Sequence, residues 1–366
     1  MSESSPNPMP GADAVASPSP SLTSRIRGAQ EDALRHAVLL DRCFGDRGAR
    51  WSDALVARAR RHVGGAVATV ETGLRLELGK RAPLVSGLVD ALPQGCAWTT
   101  IGRAPALLDP ALFGHFRDRA AISLMQQFGP ADADAEPGAA VAALPEEVGT
   151  MLAGLRLALA GWADSGPDDA AMRTDLPAEI IADLVWTVAA ILADAVSRTG
   201  LMSDPAALAL LDGAGRAVLA RHDEQNGPVG LAALLAHRLR GVPPGQVPLA
   251  DLARERQVLA LVAIAAERTG CPVGTAMNFV VEASEQRLFT FFRAADFPRE
   301  AAVRLVLARR CVASGADDAT LIGYADAYES LAPEAARAAM AALAVAPPLR
   351  QRLALLRDGE GPGHGF

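Results

Sequence analysis

Proline placement, more than anything else in this chain, fixes what it can fold into. Asp109-Pro110 and Asp204-Pro205 each put aspartate at a helix N-cap and proline at the first helical position. The carboxylate accepts orphan backbone N–H groups, and proline has no N–H to leave unpaired. Leu144-Pro145-Glu146-Glu147 and Leu176-Pro177-Ala178-Glu179 start helices with proline followed by early acid, which suits the positive helix end. Further starts are predicted near Pro228, Pro248, Pro272, Pro298 and Pro333, and ends at Gly200, Gly241 and Gly270. A chain punctuated this often, with no period-two run long enough for a strand, predicts a dozen or more short helices.

Composition agrees. Alanine makes up about a fifth of the 366 residues, aromatics are 4%, and Ala, Leu and Arg all favour helix. The expected fold is all-α, with antiparallel helical hairpins stacked into a HEAT-like array. The two Leu-Pro-x-Glu starts, at Leu144 and Leu176, give a faint repeat of helical-hairpin length. Leu252 to Thr269 reads as one amphipathic helix. Met277, Val281, Leu288 and Phe292 read as one continuous helical face, and Leu184 to Ala193 as the apolar part of a central helix.

The expected organisation is a disordered tail over 1–28, an N-terminal helical unit over 29–128 and an acidic linker over 129–143. A central helical unit (144–241), a C-terminal unit (242–357) and a second tail (358–366) follow. The tails are too poor in apolar residues to offset their ordering entropy. The first 22 residues lack the basic start and apolar run of a signal peptide. The Leu184–Ala193 stretch is too short to span a bilayer. These features lead us to expect a soluble cytoplasmic protein without membrane contact.

Few chemistries find their residues here. Lys80 is the single lysine; it follows Gly79 without the glycine-rich run of a phosphate loop, and it reads as a helix-end cation. Cys43, Cys96, Cys271 and Cys311 form no C-x-x-C pair, which fits a reducing compartment. The six histidines show no zinc spacing. His222-Asp223-Glu224-Gln225-Asn226 reads as a polar interhelical loop. Asp168-Asp169 and Asp317-Asp318 read as caps and turns. No catalytic, cofactor or metal residue is assigned, and the chain is expected not to be an enzyme.

Two places stand out as partner-binding candidates. Arg58, Arg60, Arg61 and His62 form the densest basic spot, on a helix starting near Trp51. Arg58 and Arg61 share a face and could meet an acidic partner or a nucleic-acid backbone. Against nucleic acid, the net charge is −7 and no aromatic residues interleave to stack bases. The other place is the phenylalanine cluster, Phe279, Phe289, Phe291, Phe292 and Phe297. There Phe292 is expected in the core, while Phe279 and Phe289 could border a groove for a partner helix.

Three islands resemble a known family. They are Val67 to Leu78, the helix entry Arg103 to Leu112 with Phe116-Arg117-Asp118-Arg119, and the turn Phe291 to Ala302. The chain is similar, over roughly 30 to 350, to uncharacterised all-α, HEAT-like proteins of alphaproteobacteria, grouped as a domain of unknown function. Asp296-Phe297 stands where that family tends to have Gly-Leu. The resemblance implies a helical-repeat fold and supplies no substrate. The leading expectation is a non-catalytic helical scaffold or regulatory protein that binds another protein. The alternatives are a small-ligand binder or enzyme with a pocket between helices, and nucleic-acid binding through the Arg58 helix.

Overall fold

The computed structural model describes residues 51–345 and Leu349, apart from 131–137, 164, 165, 169, 201, 202, 314 and 316. The two expected tails, His36, Cys43, His364 and residues 131–137 of the acidic linker lie outside the described residues. Among those described, the chain is all-α, with sixteen α-helices and no strand. A single isolated bridge pairs Trp51 with Ala313.

The first half contains α1 (Asp53–Arg81), α2 (Pro83–Asp90), α3 (Cys96–Arg103), α4 (Pro110–Phe128), α5 (Ala139–Ala142), α6 (Glu146–Ala163), α7 (Ala178–Ser197) and α8 (Asp204–Leu219). The second half contains α9 (Pro228–Leu239), α10 (Leu249–Arg254), α11 (Val258–Thr269), α12 (Val273–Glu282), α13 (Glu285–Ala294), α14 (Arg299–Arg309), α15 (Asp318–Ala327) and α16 (Pro333–Met340).

The proline rule works at atomic level. Asp109 accepts from the Ala111 N–H at 2.5 Å, with Pro110 opening α4. Asp317 accepts from Thr320 N–H at 2.7 Å and caps α15. Ser203, not Asp204, is the N-cap of α8, so Asp204 is its first helical residue. Lys80 lies in the last turn of α1 and pairs with Glu77 at 2.9 Å.

Two expected helices are each broken. Leu252 to Thr269 divides into α10 and α11 because Arg256 turns left-handed (φ 54°). Gln257 N–H then reaches back to Leu252 carbonyl at 2.8 Å, a Schellman closure of the kind glycine usually permits. Met277 to Phe292 divides at Ala283–Ser284, where both residues are extended (ψ 154° and 155°). The expected single face therefore does not exist. Asp296 is left-handed too (φ 57°), and Phe297 N–H closes on Phe292 carbonyl at 3.0 Å. The aspartate occupies a conformation that costs an L-residue about 1 kcal/mol, and Arg268 bridges the Ala295 and Asp296 carbonyls at 3.0 and 3.2 Å.

Two apolar cores result, and each is assembled across the expected unit boundaries. One joins Val63–Leu78 of α1 and Leu112–Phe116 of α4 to α7 and α8. The other joins Leu55 and Ala59, Ala120–Met125 of α4 and Leu144–Trp162 to everything from Ala232 to Leu343. Thus α1 and α4, which pack on each other, both pass from one core to the other. By length and composition α7 is apolar enough to cross a membrane, contrary to the expectation from Leu184–Ala193 alone. Half of that window is buried in this fold, where α7 packs on α1, α3 and α8.

Candidate functional site

Where α1 and α4 cross between the cores, the chain buries polar groups. Helix α6 ends at Ala163, and the last carbonyls of any helix lack intrahelical donors. The Trp162 carbonyl accepts from Arg58 Nη1 at 3.0 Å, Ser123 Oγ at 2.9 Å and His62 Nε2 at 2.9 Å. Arg58 also donates to Ser123 Oγ at 2.8 Å and Gln127 Oε1 at 3.0 Å. A guanidinium here sits favourably at the negative end of α6. Arg61 donates to the Ala170 carbonyl at 2.7 Å. Both arginines are buried, so the expected exposed basic face is corrected: their charges are used inside the fold. Arg60 points out and pairs with Asp168 at 2.7 Å.

The loop after α6 lies directly on α1 because Gly64 and Gly65 have no side chains. A Cβ on Gly64 would stand 2.0 Å from Asp168 carbonyl oxygen, and one on Gly65 2.7 Å from Met172 Cγ. Thr69 fastens the same loop, accepting from Met172 N–H at 2.9 Å and donating to its carbonyl at 2.6 Å. Asp175 then reaches the buried Arg119 of α4 and accepts from Trp162 Nε1 at 3.1 Å. The Arg119 guanidinium lies 4.7 Å from the Trp162 ring centre. Burial pushes it down to about 10 against the opposing pull of Asp175. A cavity of about 170 Å³ opens beside Arg119, Trp162, Met172, Arg173 and Asp175, but its buried ionic groups already hold each other.

Two histidines in this region are neutral, His62 fully buried and His115 half-buried. Desolvation, with Arg119 as the next contribution, holds His62 well below its ordinary value. The neutral ring donates from Nε2 to Trp162, leaving Nδ1 without a partner. Desolvation lowers His115 to about 4. Each folded pKa lies below the unfolded value near 6.5, so the unfolded chain takes up these protons first. Stability is therefore full above pH 6.5 and lost as pH falls, for His115 through the window from 6.5 to about 4. At 1.36 kcal/mol per unit the His115 share reaches about 3 kcal/mol. Urea unfolding across pH 7.5 to 4.5 should show this decline, and His115→Leu should flatten it.

The phenylalanine cluster is also interior. Phe279 is 7% and Phe289 4% exposed. Phe279 packs on Phe291 at 5.3 Å, and Phe289 on Tyr328 and Tyr324 at 5.8 and 6.5 Å. The break at Ala283–Ser284 turns α13 so that Phe289 faces the C-terminal helices, which removes the expected groove. The polar loop at His222 is a capping device: Glu224 accepts from Ala178 N–H at 2.8 Å at the start of α7, and His222 Nε2 meets the Leu176 carbonyl at 2.7 Å. Among the described residues no three His, Cys, Asp or Glu side chains are grouped to hold a metal.

The surface feature missed in the sequence is the outer face of α6. Thr150, Ala153, Gly154, Leu157, Ala160 and Gly161 are all exposed, and Leu157 is 79% exposed. The only charge between Val148 and Ala163 is Arg156, which is drawn to Glu255. Helix α9 runs antiparallel alongside: Arg238 meets Glu147 at 3.7 Å, and Pro228 lies with Trp162 at the cavity. That register puts Leu234, 47% exposed, level with Ala153 and Gly154. The result is an uncharged surface about three helical turns long.

Residues 168–341 match DUF2336, described as an uncharacterised protein conserved in bacteria. The matched stretch runs from the loop after α6 through α16. It includes the Phe291–Ala302 island and leaves the other two islands, and α6 itself, outside. No curated protein and no solved structure matches the chain.

Proposed function

We propose that the protein is a non-catalytic, cytoplasmic helical scaffold that binds another protein, and that it does so on the uncharged face of α6 beside Leu234. The observation carrying this is Leu157, exposed at 79% in the middle of a helix whose outer face bears no charge from Thr150 to Gly161. Fully burying one such leucine is worth about 1.5–3 kcal/mol, and nothing in the described chain does so. Apolar strips of this kind favour protein contact over solvent. The HEAT-like reading is kept as the finer proposal for the fold. The α7–α8 and α9–α11 pairs support it; the packing of α1 on the distant α8 is more than neighbour-to-neighbour stacking requires.

A photoreactive residue placed at position 157, and separately at the exposed Ala209 of α8, tests this in the native host. The expected outcome is a discrete protein adduct from 157 and none from 209. Equal labelling from both, or none from 157, would contradict the proposal.

A further inference from the structure

We infer that the cavity beside Arg119 binds a small carboxylate with a short apolar body; this goes beyond the proposed partner surface and does not rest on it. Arg119, Trp162 and Asp175 line the cavity from inside the fold, where all three are buried, while Gly161 and Arg173 are exposed at its rim. The Arg119 guanidinium lies over the Trp162 and Phe116 rings, at 4.7 and 5.8 Å from their centres, which fixes the plane in which its N–H groups point. Its pairing with Asp175 uses one nitrogen, Nη1. Nε is enclosed and has no hydrogen-bond partner. In any arginine, Nε and Nη2 form a planar fork that matches the two oxygens of a carboxylate. Asp175 leaves that fork unused, because its second oxygen turns to Trp162 Nε1 at 3.1 Å. A buried donor left in this way calls for an acceptor that the described residues do not supply.

The lining selects a single negative charge. Among the lining residues Arg119 and Arg173 stand against Asp175, and both Asp175 oxygens are already engaged. Nearby, Asp168 is held by Arg60. Asp223 is within electrostatic reach of Arg173, but it is tied to Asn226 and to the Gln225 N–H. Helix α9 begins at the cavity with Pro228 and has no side chain capping it, which adds a positive helix end to the lining. Size and polarity set the rest of the ligand. The volume of about 170 Å³ is several times the ~30 Å³ share of one water, so there is room for a few carbons behind the carboxylate. Met172, Pro228 and the Trp162 ring offer that body apolar surface. A phosphate dianion would suit the fork, but it carries more charge than this lining offsets and puts nothing against the apolar wall.

Isothermal titration of the purified full chain with 4-methylpentanoate, its uncharged amide and inorganic phosphate tests this. The carboxylate should bind at least about ten-fold tighter than either of the others. Gly161→Leu should remove that binding and keep the fold, since a Cβ at Gly161 meets nothing within 4 Å and the longer side chain can lie across the rim. Arg173→Gln should weaken binding several-fold. Arg119→Met combined with Asp175→Leu removes the fork without leaving a lone buried charge, and it should abolish the preference for the acid over the amide. Ala209→Arg on α8 should change nothing. No binding of the acid up to about 10 mM, equal affinity for acid and amide, or acid binding that persists in Gly161→Leu would overturn the inference. So would tighter binding of phosphate, which would give the cavity to phosphorylated ligands, or an undiminished preference for the acid in the double variant.

Discussion

Asp175→Ala is expected to lower stability by about 3–5 kcal/mol, the range for breaking a buried ion pair by removing one partner. The change leaves the Arg119 charge enclosed without its counter-ion and takes the acceptor from Trp162 Nε1. Arg119 already has an Nε without a hydrogen-bond partner, so no other bond is in place to compensate. Replacing both partners with apolar residues, as in Arg119→Met with Asp175→Leu, should recover much of the loss, since the desolvation cost goes with the charges. Urea unfolding of the two single variants and the double variant reads the coupling. Additive losses would mean that the pair does not act as a unit at the seam between the cores.

Phe292→Ala and Phe289→Ala should each cost about 3–5 kcal/mol, the usual loss for truncating a core phenylalanine. Phe292 is fully buried against Phe291 and Phe297, at 5.5 and 5.4 Å. From the sequence Phe289 was expected at the edge of that face, where its loss would hardly touch stability. The structure instead packs it against Tyr328, whose hydroxyl donates to the Phe297 carbonyl at 2.8 Å. Thermal or urea unfolding that showed Phe289→Ala to be nearly neutral would restore the groove and contradict the packing described.

Local chemistry was readable in the sequence and distant partners were not. Asp109-Pro110 and Asp317 cap helices because their donors lie two and three residues away. The breaks at Arg256 and Ser284 were missed because neither carries glycine or proline; tertiary packing holds Arg256 left-handed despite its side chain. Arg58 and Arg61 looked solvated because the carbonyls that bind them, at Trp162 and Ala170, are more than a hundred residues away. The adjacent Gly64-Gly65 inside a helix was the available sign that another segment lies against it. The face of α6 was written in the spacing: Leu155 and Leu159 lie about 40° apart on a helical wheel and Leu157 about 160° from each, which matches the two buried leucines and the open one.

Hydroxyl-radical footprinting of the purified protein tests most directly whether the contact surface is α6 and not the residues singled out from sequence. Leu157 should be modified quickly, and Phe279, Phe289 and Phe292 should be protected to the level of a folded core. Modification of Phe279 or Phe289 as fast as Leu157, or protection of Leu157 in the isolated chain, would contradict this account of where the protein meets its partner.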